Sequence, residues 1–379
     1  MTYLDYNATA PIRPEALEAV TLAMSVGGNP SSVHAAGRAA RAVVEAARED
    51  VAALVGAPAS ALVFTSGGTE ANGLAVDSAA AGGSGRLLIG ATEHDSVRAA
   101  AEAGSAIVET WPVDARGVAD LDWLTDRLRA WRPSDGRPFA ALMLANNETG
   151  VIQPVAEAAA ILRAANGWLH VDAVQAAGKI PVDFRALGAD TLAIASHKLG
   201  GPQGSGALIA GPRAALTRRL HGGGQEGGLR GGTENVPGIA GFGAAARAAL
   251  ADAPRLEAWA SWRDAAADRL IAEAGVTVFG QGAPRLPNTL CFAAPGFGSE
   301  LQVMALDLEG VMVSAGAACS SGKVKASPVL TAMGAADLAG SVLRVSGGWG
   351  TRKADWDRFT DVWLAALARR RSRQQAPAA

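Results

Sequence analysis

The chain has 379 residues, more than one hydrophobic core usually serves, so two domains are expected. Lysine plus arginine (34) nearly balance aspartate plus glutamate (36), and the resulting net charge of −2 argues against nucleic acid or an anionic membrane as the partner. Two cysteines, Cys291 and Cys319, imply no disulfide framework; no Cys/His spacing suggests a metal site, and no apolar run approaches membrane-spanning length.

The N-terminus carries no basic stretch ahead of an apolar one, so a cytoplasmic protein is expected. The first predicted element is a helix from Arg38 to Val55, where Ala40, Val43, Val44, Ala47, Val51, Leu54 and Val55 recur at helical spacing and Gly56 fits a C-cap. Short apolar runs then alternate with longer helical stretches: Leu62–Phe64, Leu87–Ile89, Ala141–Leu144, Trp168–Val171, Leu192–Ala195 and Ala207–Ile209. This alternation predicts an α/β fold with a mostly parallel sheet covered on both faces. A glycine-rich segment, His221–Asn235, precedes a helical stretch from Gly238 to Ala274, within which a domain boundary is placed near 255. A smaller α/β C-terminal domain follows, with a strand at Asn288–Phe292, a loop around Cys319, a strand containing Arg344 and a final helix. Its last residues, with Arg369, Arg370, Arg371 and Arg373, suit a fraying helix C-terminus.

Polar clusters sit just after the predicted strands: Ser66–Glu70, Glu93–His94, Asn146–Gly150, Asp172–Gln175 and Ser196–Lys198. In open α/β sheets that is where ligands bind. Lys198 is the sharpest signal, because an ammonium placed where an apolar strand meets the glycines at 200–206 loses water, and a desolvated amine is a nucleophile. Asp172, also at a strand end, lies 26 residues earlier (198 − 172) and would come from the neighbouring unit. An amine, an acid, an imidazole and a Ser66–Thr69 turn able to cradle phosphate are the parts that hold pyridoxal 5′-phosphate. Taken singly, Lys198 also fits a snorkelling lysine, Ser66–Thr69 a plain helix start, and Asp172 with Gln175 a solvated turn. Arg344, between Leu343 and Val345, requires an anion.

In order along the chain, residues 3–11 (YLDYNATAP), 64–70 (FTSGGTE), 92–94 (TEH), 146–150 (NNETG), 170–175 (HVDAVQ), 196–198 (SHK), 230–235 (RGGTEN) and 314–322 (SAGAACSSG) resemble the cysteine desulfurases of the NifS/IscS group, within the class V aminotransferases. The resemblance implies the fold type I architecture of pyridoxal-phosphate-dependent transferases, with a large cofactor domain at 12–255 and a small domain at 256–379 joined by 1–11. Lys198 would bind the cofactor covalently, Asp172 would pair with its ring nitrogen, Gln175 with its ring hydroxyl, and His94 would stack on the ring and shuttle protons. Gly68, Thr69, Ser196 and His197 would hold the phosphate, joined by Thr233 from the second subunit of a homodimer. Asn147 and Arg344 would receive the carboxylate of L-cysteine. The thiolate of Cys319 would take the substrate sulfur as a persulfide, releasing L-alanine.

Small and polar residues surround Cys319, and Ser327 followed by Pro328 reads as the start of a helix. Lys323 and Lys325 would favour the thiolate or be ordinary surface lysines. Cys291, between Leu290 and Phe292, reads as a buried structural cysteine. The Cys319 segment is similar to that of the longer-loop desulfurases, which implies direct delivery of sulfur to an iron–sulfur scaffold or other acceptor protein. Ala10 departs from the family, where threonine is commoner. Selenocysteine lysis or aminotransfer on the same cofactor, and a non-catalytic sulfur carrier of the same fold, are the alternatives.

Overall fold

The computed structural model describes residues 1–316 and 327–375. A short strand, β1 (Thr2–Tyr3), opens the chain, and seven more build the central sheet: β2 (Leu62–Thr65), β3 (Arg86–Gly90), β4 (Ile107–Trp111), β5 (Phe139–Ala141), β6 (Trp168–Asp172), β7 (Thr191–Ala195) and β8 (Gly206–Ala210). Their order is β2-β8-β7-β6-β5-β3-β4, parallel throughout except at β8, which runs against both its neighbours. The C-terminal region adds β9 (Thr277–Val278), β10 (Thr289–Ala293), β11 (Val311–Met312) and β12 (Val342–Ser346). Strands β12, β10 and β9 form an antiparallel sheet in that order, while β11 pairs in parallel with β1.

The helices are α1 (Pro14–Val26), α2 (Ala35–Leu54), α3 (Gly68–Ala81), α4 (Asp95–Ala103), α5 (Leu121–Arg129), α6 (Val155–Ala164), α7 (Phe184–Leu187), α8 (Val236–Ala251), α9 (Leu256–Ala274), α10 (Ser299–Leu308), α11 (Pro328–Ala332) and α12 (Lys353–Gln375). Alternation along the strands sorts them into layers. On β7, Leu192 and Ile194 face a core shared with α1, α2, α6 and α8, whereas Ala193 faces α3. On β3, Leu88 joins the first core, and Leu87 with Ile89 packs towards α3 and α4. Covered on both faces, β6 and β7 are buried at every position, which is why they read as continuous apolar runs.

A second core gathers Leu4, Leu270, Phe292, Leu343, Trp356, Phe359 and Trp363 between the C-terminal sheet, α9 and α12. Phe292 meets Trp363 edge to face at 5.2 Å. Helix α8 ends at Ala251 and α9 starts at Leu256, separated by one 3-10 turn, Ala253–Arg255. A buried ion pair, Arg13 Nη2 to Asp252 Oδ2 at 2.6 Å, anchors the end of α8. Arg13 Nε also donates to the Leu199 carbonyl at 2.7 Å and so fixes the backbone next to Lys198.

Three local differences from the sequence reading have physical causes. Helix α2 starts at Ala35 because His34 caps it through its ring, which accepts from Gly37 N–H. The run Ala141–Leu144 does follow β6, since Leu142 and Leu144 donate to the His170 and Asp172 carbonyls, but the strand begins at Phe139. Edge strand β4 has no counterpart among the predicted runs: Glu109 and Thr110 break its apolar pattern, as an exposed edge permits.

Candidate active site

The C-terminal ends of β6 and β7 and the first turn of α3 enclose a cavity of about 190 Å³. Lys198 enters it from the one-turn helix Ser196–Lys198 that caps β7. Its Nζ donates to the carbonyls of Asn7 (2.6 Å) and Ala8 (2.7 Å). Neutral carbonyls do not offset an ammonium charge, and burial, reinforced by the Arg344 charge and opposed by Asp172 and Asp5, pushes the amine down to about 8.

Asp172 and Gln175 line the same cavity. Asp172 Oδ1 accepts from Val174 N–H at 2.9 Å and Oδ2 from Asn72 Nδ2 at 2.7 Å. Gln175 Nε2 donates to the Asn7 carbonyl at 2.9 Å, and its Oε1 accepts from Lys179 Nζ at 2.6 Å. His94, the N-cap of α4, stands on the opposite wall with its Nδ1 held by Ser96. His197 lines the cavity beside Lys198, and burial, helped by Lys198 and Lys179, pushes it down to about 4, so it is neutral near pH 7.

Gly68 and Thr69 open α3 on the cavity wall. The first helical bond of α3 is Ala71 N–H to Gly67, which leaves the preceding N–H groups without helical acceptors and suited to an anion. Glu70 Oε2 accepts from Ser66 N–H at 2.8 Å and Oε1 from Arg230 Nε at 3.0 Å, which braces the turn. At the start of β8, Gly206 packs so closely that a Cβ there would stand 2.5 Å from the Gly67 backbone. Asn147 also lines the cavity.

The remaining expected site residues lie elsewhere. Ser196 is fully buried behind the wall, its hydroxyl without a partner among the described residues. Arg344, on β12, is buried behind Asn147, to whose carbonyl its Nη1 donates at 3.2 Å; its anion is Asp5, 2.8 Å from Nη2, and its Nε is unpartnered among the described residues. Thr233 opens on a different cavity, between α1 and the start of α8. Cys319, with Lys323 and Lys325, lies outside the described residues. Ser327 does cap α11, accepting from Leu330 N–H and donating to Glu148 Oε2 at 2.7 Å. Cys291 is buried on β10, and burial pushes its thiol up.

Several residues around the cavity had no role in the sequence reading, although Glu93 stood in one of its polar clusters. Asn72 lies one helical turn after Gly68, a spacing that would have put it on the same face of α3. Lys179 is fully buried, donates to Asn7 Oδ1 as well as to Gln175, and is held well below the usual lysine range by burial and by the Lys198 charge. Its signal was a single lysine in the apolar run 176–180. Glu93 is completely buried beside Asp172, and both effects raise its carboxyl well above the usual range.

A phosphate-bearing aldehyde suits these residues: free helix N–H groups at Gly68 and Thr69, and a desolvated amine in the same cavity as a carboxylate. A sheet of this order with its amine and acid at adjacent strand ends is the fold type I architecture of pyridoxal-phosphate-dependent enzymes. Comparison with known proteins gives the family. The sequence model of the family described as Aminotransferase class-V matches residues 2–359, and the chain belongs to that family, whose members use pyridoxal 5′-phosphate. It is 40% identical to a cysteine desulfurase of Frankia sp. (strain EuIK1) over 402 residues, covering 99% of this chain and 93% of that protein. It is 38% identical to a selenocysteine lyase of Bos taurus, covering 97% and 93%. Among solved structures, a NifS-like protein from Rickettsia africae superposes with a TM-score of 0.89 at 32% identity, over 97% of this chain and 99% of that one.

Proposed function

We propose that the protein is a cysteine desulfurase that converts L-cysteine to L-alanine and passes the sulfur to Cys319 as a persulfide. The observation that carries this reading is the Lys198 amine, desolvated by burial to about 8 and lining one cavity together with Asp172 and His94. When bound, the cofactor supplies an electrophilic carbon and an electron-accepting ring that loosens bonds at the substrate Cα and Cβ. Lys198 Nζ would hold its aldehyde carbon and take or return a proton, since a pKa near 8 leaves both forms populated at mildly basic pH. Asp172 would face the ring nitrogen and Gln175 the ring hydroxyl. Gly68, Thr69, Ser196 and His197 would bind the phosphate. His94, with Nδ1 engaged by Ser96, would exchange protons over the ring through Nε2.

Asn147 and Arg344 would receive the substrate carboxylate, the Arg344 guanidinium dividing its bonds between that anion and Asp5. The thiolate of Cys319 would then attack the substrate sulfur: the Cβ–S bond breaks, a sulfur–sulfur bond forms on Cys319, and a proton replaces sulfur at Cβ. In this reading residues 12–255 form the cofactor domain, and 256–379 with 1–11 form the domain that carries the thiol. Thr233 would reach the phosphate of a second copy, because its own cavity opens beside Met24, on the exposed face of α1 rather than on Lys198. The sulfur acceptor would be an iron–sulfur scaffold or another sulfur-acceptor protein. No described helix is long and apolar enough to cross a membrane, and no described cluster of His, Cys, Asp or Glu suits a metal.

Selenocysteine lysis is the second reading, favoured by the Bos taurus relative. One experiment separates them. Purified protein should carry a yellow chromophore that borohydride fixes to Lys198, and Cys319→Ala should keep that colour while losing sulfide release from L-cysteine. Full sulfide release by Cys319→Ala would remove the desulfurase mechanism, and survival of selenocysteine lysis alone would favour the lyase.

A further inference from the structure

Asn72 has no role in the scheme above, yet it is almost wholly buried at the junction of two groups that do. Its Nδ2 donates to Asp172 Oδ2 at 2.7 Å and to Ser96 Oγ at 2.8 Å. Its Oδ1 lies 3.0 Å from His170 Nε2. Behind it, His170 Nδ1 lies 3.0 Å from Thr191 Oγ1, which accepts from Trp168 Nε1 at 3.1 Å. Five side chains from α3, β6 and β7 therefore form one buried line that ends at the cavity.

Donor and acceptor chemistry fixes the direction of every bond in that line. The Asp172 carboxylate only accepts, so Asn72 turns its Nδ2 to it and its Oδ1 to His170 Nε2, and the Nδ1 of a neutral ring is left to accept from the Thr191 hydroxyl, whose oxygen also accepts from the Trp168 indole. The imidazole then carries its single proton on Nε2 and donates it to Asn72 Oδ1. A neutral ring is what full burial dictates, and burial pushes His170 down to about 3. With Oδ1 so engaged, the amide presents both Nδ2 protons to Asp172 and Ser96; the flipped amide would set an oxygen against the Asp172 carboxylate. The Ser96 hydroxyl, accepting from Asn72, donates onward to His94 Nδ1 at 2.9 Å, where Ser96 N–H also points at 3.1 Å. His94 is thereby left with its proton on Nε2.

We propose that Asn72, held between the Asp172 carboxylate and the His170–Thr191–Trp168 line, is the positioning residue that aims that carboxylate. The catalytic consequence rests on reading Asp172 as a cofactor contact; the hydrogen-bond order does not. Lys198 and Glu93 are the other ionisable groups whose charges reach Asp172.

The chain has five histidines, few enough for imidazole-selective nitrogen NMR on full-length protein with and without pyridoxal 5′-phosphate. In the wild type, His170 should remain a neutral Nε2–H ring between about pH 5 and 8. Asn72→Ala should deprive His170 Nε2 of its acceptor, leaving that ring a mixture of tautomers, and move the pH midpoint of the bound cofactor's visible band by about one unit or more. Thr191→Val, which keeps the bond from Asn72 to Asp172, should shift the midpoint less. An Nδ1–H or titrating His170 in the wild type overturns the proposal, even should Asn72→Ala fail to fold. So does an Asn72→Ala protein that melts earlier with the midpoint unmoved. Failure of the wild type to develop a visible band would instead count against the cofactor reading, which the protein's own imidazole signals test separately.

Discussion

Two backbone carbonyls hold the Lys198 amine, and burial with the Arg344 charge disfavours its protonation against the pull of Asp172 and Asp5. The sign of the resulting pH dependence is definite. Burial favours the uncharged amine, so below about 8 it is protonated and inert, and above it the lone pair is free. Reconstitution of cofactor-free protein with pyridoxal 5′-phosphate, followed by absorbance, should therefore speed up about tenfold per pH unit below that midpoint and level off above it. A midpoint near the ordinary lysine value of about 10.4 would mean that the amine is not desolvated. Lys198 and Asp172 were legible in the sequence because each is a charge at the end of an apolar strand. Asn72 and Lys179 were not: on α3 a buried asparagine and a solvated one have the same local pattern, and Lys179 stands in an alanine and glycine run that gives no sign of facing Gln175. The need of Arg344 for an anion was readable, but not that Asp5, 339 residues away, would supply it.

Helices and strands place these groups by register. Strands β6 and β7 are parallel neighbours with Asp172 opposite Ala193, so the acid and the amine leave the sheet at the same edge, one strand apart. The phosphate turn depends on β8, where Gly206 pairs with Thr65 and lies against Gly67. A methyl group at 206 would press on backbone, which cannot rotate away. Gly206→Ala should cost about 1–3 kcal/mol of stability by overpacking and weaken cofactor binding about tenfold or more, measured by denaturant unfolding and by cofactor titration. An unchanged affinity would show that the Gly67–Thr69 turn does not hold the phosphate. The parallel strands were legible from their uninterrupted apolar runs. Edge strand β4 was not, because half its side chains meet water. The antiparallel sense of β8 also left no mark, since strand direction follows from the connection and not from composition.

At the scale of the molecule, the described residues leave Leu22 (61% exposed) and Met24 (71%) on the outer face of α1, next to the cavity that contains Thr233. Side chains of that size at that exposure fit a subunit interface. The protein should sediment at about twice its chain mass, and Met24→Asp, which would bury a charge in the interface, should shift it towards the monomer and loosen the cofactor. A wild-type monomer that retains its cofactor would exclude a shared site. Homodimerisation entered the sequence reading through family resemblance alone, because no local pattern distinguishes an exposed apolar face awaiting a copy of itself from one that is simply exposed.

The first eight residues do more than begin the chain. Strand β1 runs alongside β11, Leu4 N–H bonds to the Met312 carbonyl, Asp5 neutralises Arg344, and the carbonyls of Asn7 and Ala8 hold Lys198. A proteolytic nick in this leader would disturb the counter-ion, the amine's acceptors and the rail beneath β11 together.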